Sequence, residues 1–290
     1  MSGKTTDVRI LEGSCLERLK EIPDSSVQCV VTSPPYFQCR QYGDHKDELG
    51  REQLPGDFIT GLCKVLDEIW RVLKYDGVLW LNIGDSISKK KYKECQIHPM
   101  IKKGESMLLP FMLANEARRR GWYVQQDIIW AKRNPMPCST HKRCTPSHEY
   151  IWMLTKSEAY SFDPIPITTP SKTPKPKNKE EYGPMPPIGG VKRSGGATYS
   201  GNRPIGNGRS RKRDVWFETT SRCPESHFAP FPESIVEPCI LSTTKEGDIV
   251  LDPFSGTGTV AQVCVRLKRH VICIELYRRY VDMIKARLHV

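Results

Sequence analysis

The 290-residue sequence contains no apolar run that approaches the roughly 20 residues of a membrane-spanning helix. Its first residues, Met1 to Thr5, lack the apolar core of a secretion signal. Hydrophobic residues make up only 38% of the chain and are unevenly distributed, so part of the chain is expected to be loop or extension. These absences predict a soluble intracellular protein with no membrane partner.

The 11 cysteines include no Cys-x-x-Cys pair. An odd number of cysteines without a secretion signal argues against a disulfide framework. Cys138-x2-His141-x2-Cys144, supplemented by Cys95-x2-His98, has a spacing that a metal ion could use. A structural zinc site, however, needs four well-placed ligands. We therefore predict no metal site, and reduced thiols in a polar loop.

Acidic residues are too few to balance the basic ones, and the formal net charge is +11. Eleven Lys and Arg residues against two Glu fall within 164–213, a stretch rich in Gly, Pro, Ser and Thr. A basic chain favours a polyanionic partner, usually nucleic acid, although a protein can also simply be basic.

The chain divides into three segments, 1–157, 158–226 and 227–290, and no internal repeat is visible. Apolar periodicity in the outer two predicts strands alternating with helices. Such alternation predicts an α/β fold with a doubly wound, mainly parallel sheet, which binds ligands at the carboxyl ends of its strands. The predicted strands are 8–11, 27–31, 78–83, 123–130, 150–154, 248–252 and 270–274. The predicted helices are 16–22, 58–73 (ended by Asp76-Gly77), 107–120, 235–241, 259–267 and 277–288.

A glycine turn follows the strand that ends at Asp252, in the stretch Asp252-Pro253-Phe254-Ser255-Gly256-Thr257-Gly258-Thr259. Glycines allow a close approach to a ligand, and the free N–H groups of the next helix suit a carboxylate. Glu275 ends the following strand, where an acidic residue can bind a ribose diol. The alternative is an ordinary exposed Glu. A dinucleotide site would carry a fuller glycine motif, but position 261 is Ala.

A second turn, Thr32-Ser33-Pro34-Pro35-Tyr36, directly follows the buried strand 27–31. Its prolines remove two backbone donors and leave carbonyls free to accept hydrogen bonds. Ser33 offers a further acceptor, and Tyr36 a ring on which a planar base can stack. The turn therefore fits an –NH2 group on a flat ring. The alternative is a rigid turn that caps the strand, with Tyr36 packed in the core.

The two turns together, Val31 to Tyr36 and Leu251 to Thr259, resemble those of the amino-DNA methyltransferases, which act on cytosine N4 or adenine N6. The order, with the catalytic motif first and the cofactor motif late, resembles their beta group. That group has a circularly permuted form of the Rossmann-like methyltransferase fold that binds S-adenosylmethionine. The resemblance covers nearly the whole chain outside about 165–212, including 70–86, 129–134, 147–150, 214–216 and 227–233.

The resemblance implies a catalytic turn of Ser33, Pro34, Pro35 and Tyr36, and Glu275 as the ribose ligand. Phe228, Pro230 and Phe231 match the segment beside the methionine end of the cofactor. The cofactor residues implied are Thr32, Phe228, Pro230, Phe231, Asp252, Phe254, Ser255, Gly256, Thr257, Gly258, Thr259 and Glu275. Two positions depart from the family pattern. At the first, Gly13-Ser14 stands where Gly-Asp is frequent in the family, so either Glu12 or a backbone group is left to contact the adenine of the cofactor. At the second, Arg133 stands where Pro is frequent.

The implied reaction is direct methylation of a base that is flipped out of double-stranded DNA, without a cysteine nucleophile. Ser33, in place of Asp, resembles the N4-cytosine enzymes of restriction–modification systems. We expect 158–226 to be the target-recognition region, with a disordered linker as the alternative. The predicted DNA contacts are Lys132, Arg133, Lys192, Arg193, Arg203, Arg209, Arg211, Lys212 and Arg213.

Three other functions stay open: an N6-adenine methyltransferase on the same scaffold, a catalytically silent DNA-binding subunit, and an RNA methyltransferase. The intact Ser33 turn and glycine turn argue against the silent subunit. We expect a monomer or weak homodimer that is located with DNA, in the nucleoid of a bacterium or the nucleus of a eukaryote.

Overall fold

The computed structural model describes residues 6–138, 142–170, 209–220 and 231–290. Tertiary contacts divide the chain into a larger unit, Met1–Asp163 with Asp214–Val290, and a smaller unit, Pro164–Arg213. None of the helices in the described ranges combines the length and the apolarity that a membrane crossing requires.

The described residues form ten strands and six α-helices. The strands are β1 (Val8–Glu12), β2 (Val27–Thr32), β3 (Leu73–Ile83), β4 (Tyr123–Lys132), β5 (His148–Thr155), β6 (Thr169–Pro170), β7 (Arg209–Ser210), β8 (Val215–Glu218), β9 (Ile249–Asp252) and β10 (His270–Glu275). The helices are α1 (Cys15–Leu19), α2 (Pro55–Val72), α3 (Leu109–Arg119), α4 (Glu233–Thr243), α5 (Thr259–Arg266) and α6 (Arg278–Leu288). All the strands and helices predicted from the sequence are present.

The larger unit is built on an eight-stranded sheet with the order β1-β10-β9-β2-β3-β5-β4-β8. Every neighbouring pair is parallel except the two that involve β5, which runs antiparallel to β3 and β4. The predicted doubly wound, mainly parallel sheet is therefore confirmed. β8 is not predicted from the sequence, because a four-residue strand with one buried residue, Trp216, gives too short a pattern.

Helices cover both faces of this sheet, as the alternation of side chains along β2 illustrates. Val30 packs into a core shared with α2 and α3, whereas Val31 packs into a second core shared with α4 and α5. Because successive strand residues point to opposite faces, a central strand between two helical layers is buried on both faces and is mostly apolar. All six residues of β2 are buried.

The junction between α2 and β3 differs from the prediction. The sequence predicts a turn at Asp76-Gly77 and a strand from residue 78, but α2 ends at Val72 and β3 begins at Leu73. Leu73 pairs with Val27 at the start of β2, and the register then shifts at a bulge. A Cβ on Gly77 would lie 2.7 Å from the Leu73 side chain, so glycine is needed here because of close packing inside the strand.

The described part of the smaller unit contains a short 3-10 helix, Ile165–Ile167, and the antiparallel pair of β6 and β7. The Arg209 guanidinium donates hydrogen bonds to both the carbonyl and the hydroxyl of Thr168. These bonds hold β7, which contains Arg209, against the residue that precedes β6.

The carboxyl ends of the parallel strands lie together at one edge of the large sheet. Thr32, Asp252 and Glu275 end the adjacent strands β2, β9 and β10. Because β5 is antiparallel, its first residues reach the same edge, where Glu149 is paired with Trp130 of β4. The fold thus brings together residues from both ends of the sequence.

Candidate active site

A cavity of about 420 Å³ opens at this edge of the sheet. The turn after β2 forms one part of its wall, with Ser33, Pro34, Pro35 and Tyr36. The turn after β9 forms another part, with Phe254, Ser255, Gly256, Thr257 and Thr259. The two turns that the sequence singles out therefore line one cavity.

Ser33 belongs to a hydrogen-bonded cluster that lines the cavity. Asn82 Nδ2, near the end of β3, lies 3.2 Å from Ser33 Oγ, 2.9 Å from Tyr36 Oη and 2.8 Å from Glu149 Oε2, so these three acceptors share its two hydrogens. Tyr36 Oη donates to Glu149 Oε2 at 2.5 Å, and Ser33 Oγ lies 3.5 Å from Tyr36 Oη. Lys132 Nζ forms an ion pair with the other Glu149 oxygen.

The Tyr36 hydroxyl is held in its protonated form. Burial raises the pKa of Tyr36 well above its ordinary value, and the nearby charge of Glu149 raises this pKa further. The Tyr36 ring lies against Gly84, where a Cβ would come within 2.8 Å of Tyr36 Cε2. Gly84 therefore leaves room for the ring to line the cavity.

Asp252 begins the glycine turn, and its carboxylate is buried. It accepts hydrogen bonds from Thr32 Oγ1 at 2.7 Å and from the Phe254 N–H at 3.1 Å. Burial raises the pKa of Asp252 to about 7, although the Thr32 hydroxyl acts in the opposite direction. Neither Thr32 nor Gly258 lines the cavity: Thr32 holds Asp252 through its hydrogen bond, and Gly258 begins α5 as its N-cap.

Glu275 closes the opposite side of the glycine turn. Its carboxylate accepts hydrogen bonds from the N–H groups of Gly256, at 2.8 Å, and Tyr277, at 3.0 Å. Burial raises the pKa of Glu275 to about 7. A Cβ on Gly256, which has a φ of 51°, would meet no atom within 4 Å, so the turn has open space in front of it.

This part of the cavity fits S-adenosylmethionine. Gly258 caps α5 without a side-chain hydrogen bond, which leaves N–H groups at the start of the helix for a carboxylate. Glu275 lines the cavity with lone pairs left for the hydroxyls of a ribose. Phe231 lies on the wall near Trp130, with ring centroids 6.3 Å apart, whereas Phe228 and Pro230 fall outside the described residues.

The suggested contact between Glu12 and the cofactor adenine is not supported. Glu12 Oε2 pairs with Arg278 at 3.0 Å, and the side chain does not line the cavity. Gly13 and Ser14 do line the cavity, which leaves a backbone group as the alternative.

The predicted DNA contacts occupy different environments. Lys132 lines the cavity and binds Glu149, whereas Arg133 is exposed and its guanidinium lies 5.9 Å from the Phe217 ring centroid. Arg211 and Arg213 are exposed, and Lys212 is half-buried. Lys192, Arg193 and Arg203 lie outside the described residues.

Sequence reasoning did not single out Asn82 and Glu149 as functional residues. Both occur in segments on which the family resemblance rests, but no simple pattern marks either one. An Asn at the end of an apolar strand and a Glu at the start of another were the only signals. Their proximity depends on β5 running antiparallel beside β3, and the sequence pattern did not predict this direction.

Among the described residues, no group of three or more His, Cys, Asp or Glu side chains could hold a metal ion. Cys138 and Cys144 are described, but His141 falls outside those ranges. The Cys138–His141–Cys144 spacing is therefore left without a structural test.

Comparison with known proteins identifies the family. The model of the N6/N4 DNA methylase family matches residues 27–286. The chain belongs to this family. It is therefore a DNA methyltransferase, and its cofactor is S-adenosylmethionine.

Relatives of similar length share about a third of their residues with this methyltransferase. The Type II methyltransferase M.Cfr9I of Citrobacter freundii is 36% identical, over 96% of this chain and 87% of that protein. The Type II methyltransferase M.SmaI of Serratia marcescens is 33% identical, over 97% of this chain and 90% of that protein.

Solved structures share the fold. The PvuII DNA methyltransferase (cytosine-N4-specific) superposes with a TM-score of 0.66 at 18% identity, covering 98% of this chain and 86% of that one. The putative DNA modification methylase TTHA0409 from Thermus thermophilus, solved in complex with S-adenosyl-L-methionine, gives a TM-score of 0.61 at 24% identity, covering 96% of this chain and 92% of that one.

Proposed function

We propose that this methyltransferase modifies the exocyclic N4 amino group of a cytosine that is flipped out of double-stranded DNA. The observation that carries the proposal is the hydrogen-bonded cluster around Ser33 Oγ. Ser33 occupies the first position of the turn, as in the N4-cytosine enzymes that the motif resembles. An Asp at this position would resemble the N6-adenine enzymes instead. The names of the relatives further suggest a Type II modification enzyme that acts at a specific DNA site.

The Glu149 carboxylate determines the direction of the hydrogen bonds in the cluster. An ionised carboxylate only accepts hydrogen bonds, so the Tyr36 hydroxyl must donate to it. The hydrogen of Ser33 Oγ can then point towards Tyr36 Oη, which leaves a Ser33 lone pair directed at the cavity. A substrate amino group would donate to that lone pair.

The proposed reaction uses the residues of the turn after β2. Ser33 Oγ and the Pro34 carbonyl accept the two hydrogens of the amino group, so that its nitrogen lone pair points at the methyl donor. The Tyr36 ring stacks on the flipped base. S-adenosylmethionine supplies an electrophilic sulfonium methyl group. As the new C–N bond forms, the bond between the methyl group and the sulfonium sulfur would break and the sulfur would leave as a neutral thioether. The positive charge would then lie on the nitrogen, where the nearby Glu149 carboxylate would stabilise it until the extra proton is released to solvent.

No cysteine is required in this mechanism. Cys15 lines the cavity, but burial raises the pKa of its thiol to about 12, which disfavours the nucleophilic thiolate. Cys39 also lines the cavity but has no part in the proposed step, because the amino group of the base is itself the nucleophile.

The experiment that tests the proposal is identification of the product. Unmethylated duplex DNA is incubated with the enzyme and S-adenosylmethionine, digested to nucleosides and analysed by mass spectrometry. We expect N4-methyldeoxycytidine. N6-methyldeoxyadenosine would assign the enzyme to the other amino group, and 5-methyldeoxycytidine would contradict direct transfer to nitrogen. Methyl transfer to RNA in preference to duplex DNA would overturn the assignment of the substrate.

A Ser33→Ala variant provides the matched test of the site. It removes one acceptor for the amino group but leaves the glycine turn intact, so turnover should fall about 100-fold or more while the affinity for S-adenosylmethionine changes little. Equal losses of turnover and of cofactor affinity would contradict the role of Ser33.

The proposed contacts with DNA lie mainly in 158–226. Loops that carry Arg and Lys can follow phosphates and reach base edges. Among the described residues, the exposed Arg133, Arg211 and Arg213 support this role. Sequencing DNA modified by the enzyme would give the recognition site, and exchanging 158–226 with a relative of different specificity should transfer that site.

A further inference from the structure

The chain between β3 and α3 forms a second basic element, here called the lysine hairpin, residues 86–106. Isolated antiparallel bridges join Ile87 to Ser106 and Tyr92 to Ile101. The backbone of Tyr92 exchanges two hydrogen bonds with that of Ile101, at 2.8 and 3.1 Å, and both side chains are buried. The hairpin is therefore anchored to the core of the larger unit.

The outer side of the lysine hairpin carries a cluster of cations. Six lysines in the hairpin are exposed: Lys89, Lys90, Lys91, Lys93, Lys102 and Lys103. Only two acidic residues accompany them, and one of these, Glu105, accepts a hydrogen bond from the Lys102 backbone at 2.7 Å. Within the described ranges, neither Lys89 nor Lys90 lies within 4.0 Å of a carboxylate oxygen.

Lys89 and Lys90 contribute to a groove of about 450 Å³. Arg40, Arg51 and three glutamines from the chain that follows Tyr36 complete its walls, and no described acidic residue lines it. Arg51 lies 3.5 Å from Asp44, so part of its charge is already balanced. The two lysines supply the uncompensated positive charge.

The groove adjoins the candidate active site, because Cys39 and Arg40 line both. The chain that carries Arg40 is held in place by Glu48, which is buried and accepts a hydrogen bond from the Tyr277 hydroxyl. The cations therefore occupy an ordered position beside the cavity that would hold the target base.

We propose that this groove binds the DNA backbone phosphates next to the flipped nucleotide, through Lys89 and Lys90 of the lysine hairpin. Lys, Arg and amide side chains are typical phosphate contacts, and such contacts fix the position of DNA without reading its sequence. The surface is separate in sequence from 158–226 and from Lys132 and Arg133. This inference rests on the proposed function in one respect, namely that the substrate is DNA. It does not depend on which base is methylated.

The first test compares Lys89→Gln/Lys90→Gln with a matched control, Lys245→Gln/Lys268→Gln. Lys245 and Lys268 are also exposed but precede β9 and β10, at the opposite edge of the sheet, where Lys268 lies 3.7 Å from an exposed Glu246. Both double variants remove two charges. We expect only the hairpin variant to raise the Kd for duplex DNA, by about tenfold at moderate salt, and to lower the slope of log Kd against log salt by about 2.

Binding of S-adenosylmethionine and the Tm should stay unchanged in both double variants, which separates lost phosphate contacts from misfolding. An unchanged salt slope in the hairpin variant, or the same decrease in the control, would overturn the proposal. Because DNA affinity is measured without identifying the product, the result is independent of whether cytosine N4 or adenine N6 is methylated.

The second test locates the contact. Duplexes that carry one neutral methylphosphonate linkage at successive positions around the methylated base are bound to the wild type and to Lys89→Gln/Lys90→Gln. We expect the linkages next to the target base to weaken wild-type binding but to cause little further loss in the variant. The opposite outcome is that the loss of affinity caused by the lysine substitutions multiplies with the loss caused by the methylphosphonate at every position of the linkage. In that case the lysines do not contact these phosphates, and the proposed position of the DNA is wrong.

Discussion

Thr32 Oγ1 donates a hydrogen bond of 2.7 Å to Asp252 Oδ1 and joins two turns that are 220 residues apart in the sequence. Thr32 ends β2 and Asp252 ends the adjacent strand β9, so the bond lies at the edge of the sheet where the cavity opens, and Asp252 itself lines the cavity. The catalytic turn and the cofactor turn begin at these two residues. Their relative position therefore depends on one buried side-chain contact as well as on the sheet.

Thr32→Val should uncouple the two turns with little change in volume. Asp252 would keep only the 3.1 Å contact from the Phe254 N–H, and a buried acceptor that loses its partner costs about 1–3 kcal/mol of stability. We expect a lower Tm and at least a tenfold loss of turnover, measured by thermal unfolding and methyl transfer. The control is Thr60→Val, which removes a local bond to Gly56 on α2. Equal behaviour of the two variants would contradict the coupling.

Two buried carboxyls predict how stability depends on pH. Burial raises the pKa values of Asp252 and Glu275 to about 7, from ordinary values of 3.8 and 4.5. The folded chain therefore binds these protons more tightly than the unfolded chain does. Their contribution to stability is fully present below the unfolded values and is lost as the pH rises through about 7. Glu275→Gln should flatten this dependence, which denaturant unfolding of the ligand-free enzyme at about pH 5.5 and 8.5 would measure.

Binding of S-adenosylmethionine should depend on pH in the opposite direction. The ribose hydroxyls would donate to the ionised form of Glu275, so the affinity should increase as the pH rises through about 7. Calorimetry in two buffers of different ionisation enthalpy would detect the proton that binding releases. Glu275→Gln should bind more weakly and release less of that proton. A wild-type affinity that decreases over this pH range would contradict the assignment of Glu275 to the ribose.

The sequence predicts the fold and the two turns well because both depend on local patterns. The apolar run 27–31 followed by two prolines, and the glycines after Asp252, can be recognised without any distant contact. The Asn82–Glu149 cluster could not be predicted in the same way. It arises only when β5 is inserted antiparallel between β3 and β4, and strand direction depends on packing rather than on the sequence of one strand.

Gly84→Ala should selectively disturb the Tyr36 ring, which is proposed to stack on the target base. The added Cβ would lie 2.8 Å from Tyr36 Cε2, closer than such contacts allow, so the ring must move within the cavity. We expect turnover to fall about tenfold or more, since small displacements of a positioning group are costly. Cofactor affinity should change little, because the atoms nearest to the added Cβ belong to Tyr36 and Glu149, and not to Glu275 or Gly256. Turnover equal to that of the wild type would show that the ring position is not critical.

Glu149→Gln should reveal the importance of the buried carboxylate. The amide keeps the size of the side chain but leaves the Lys132 charge without its partner and lets the Tyr36 hydroxyl reverse its hydrogen bond. We expect a loss of turnover of about 100-fold, a modest change in the KM for DNA, and a lower Tm, because removing one partner of a largely buried ion pair is destabilising.

The matched control is Glu158→Gln, which removes an exposed carboxylate just after the same strand. If Lys132→Met combined with Glu149→Gln restores the Tm but not turnover, the carboxylate acts on the reaction as well as on the fold. Recovery of both would assign Glu149 a purely structural role.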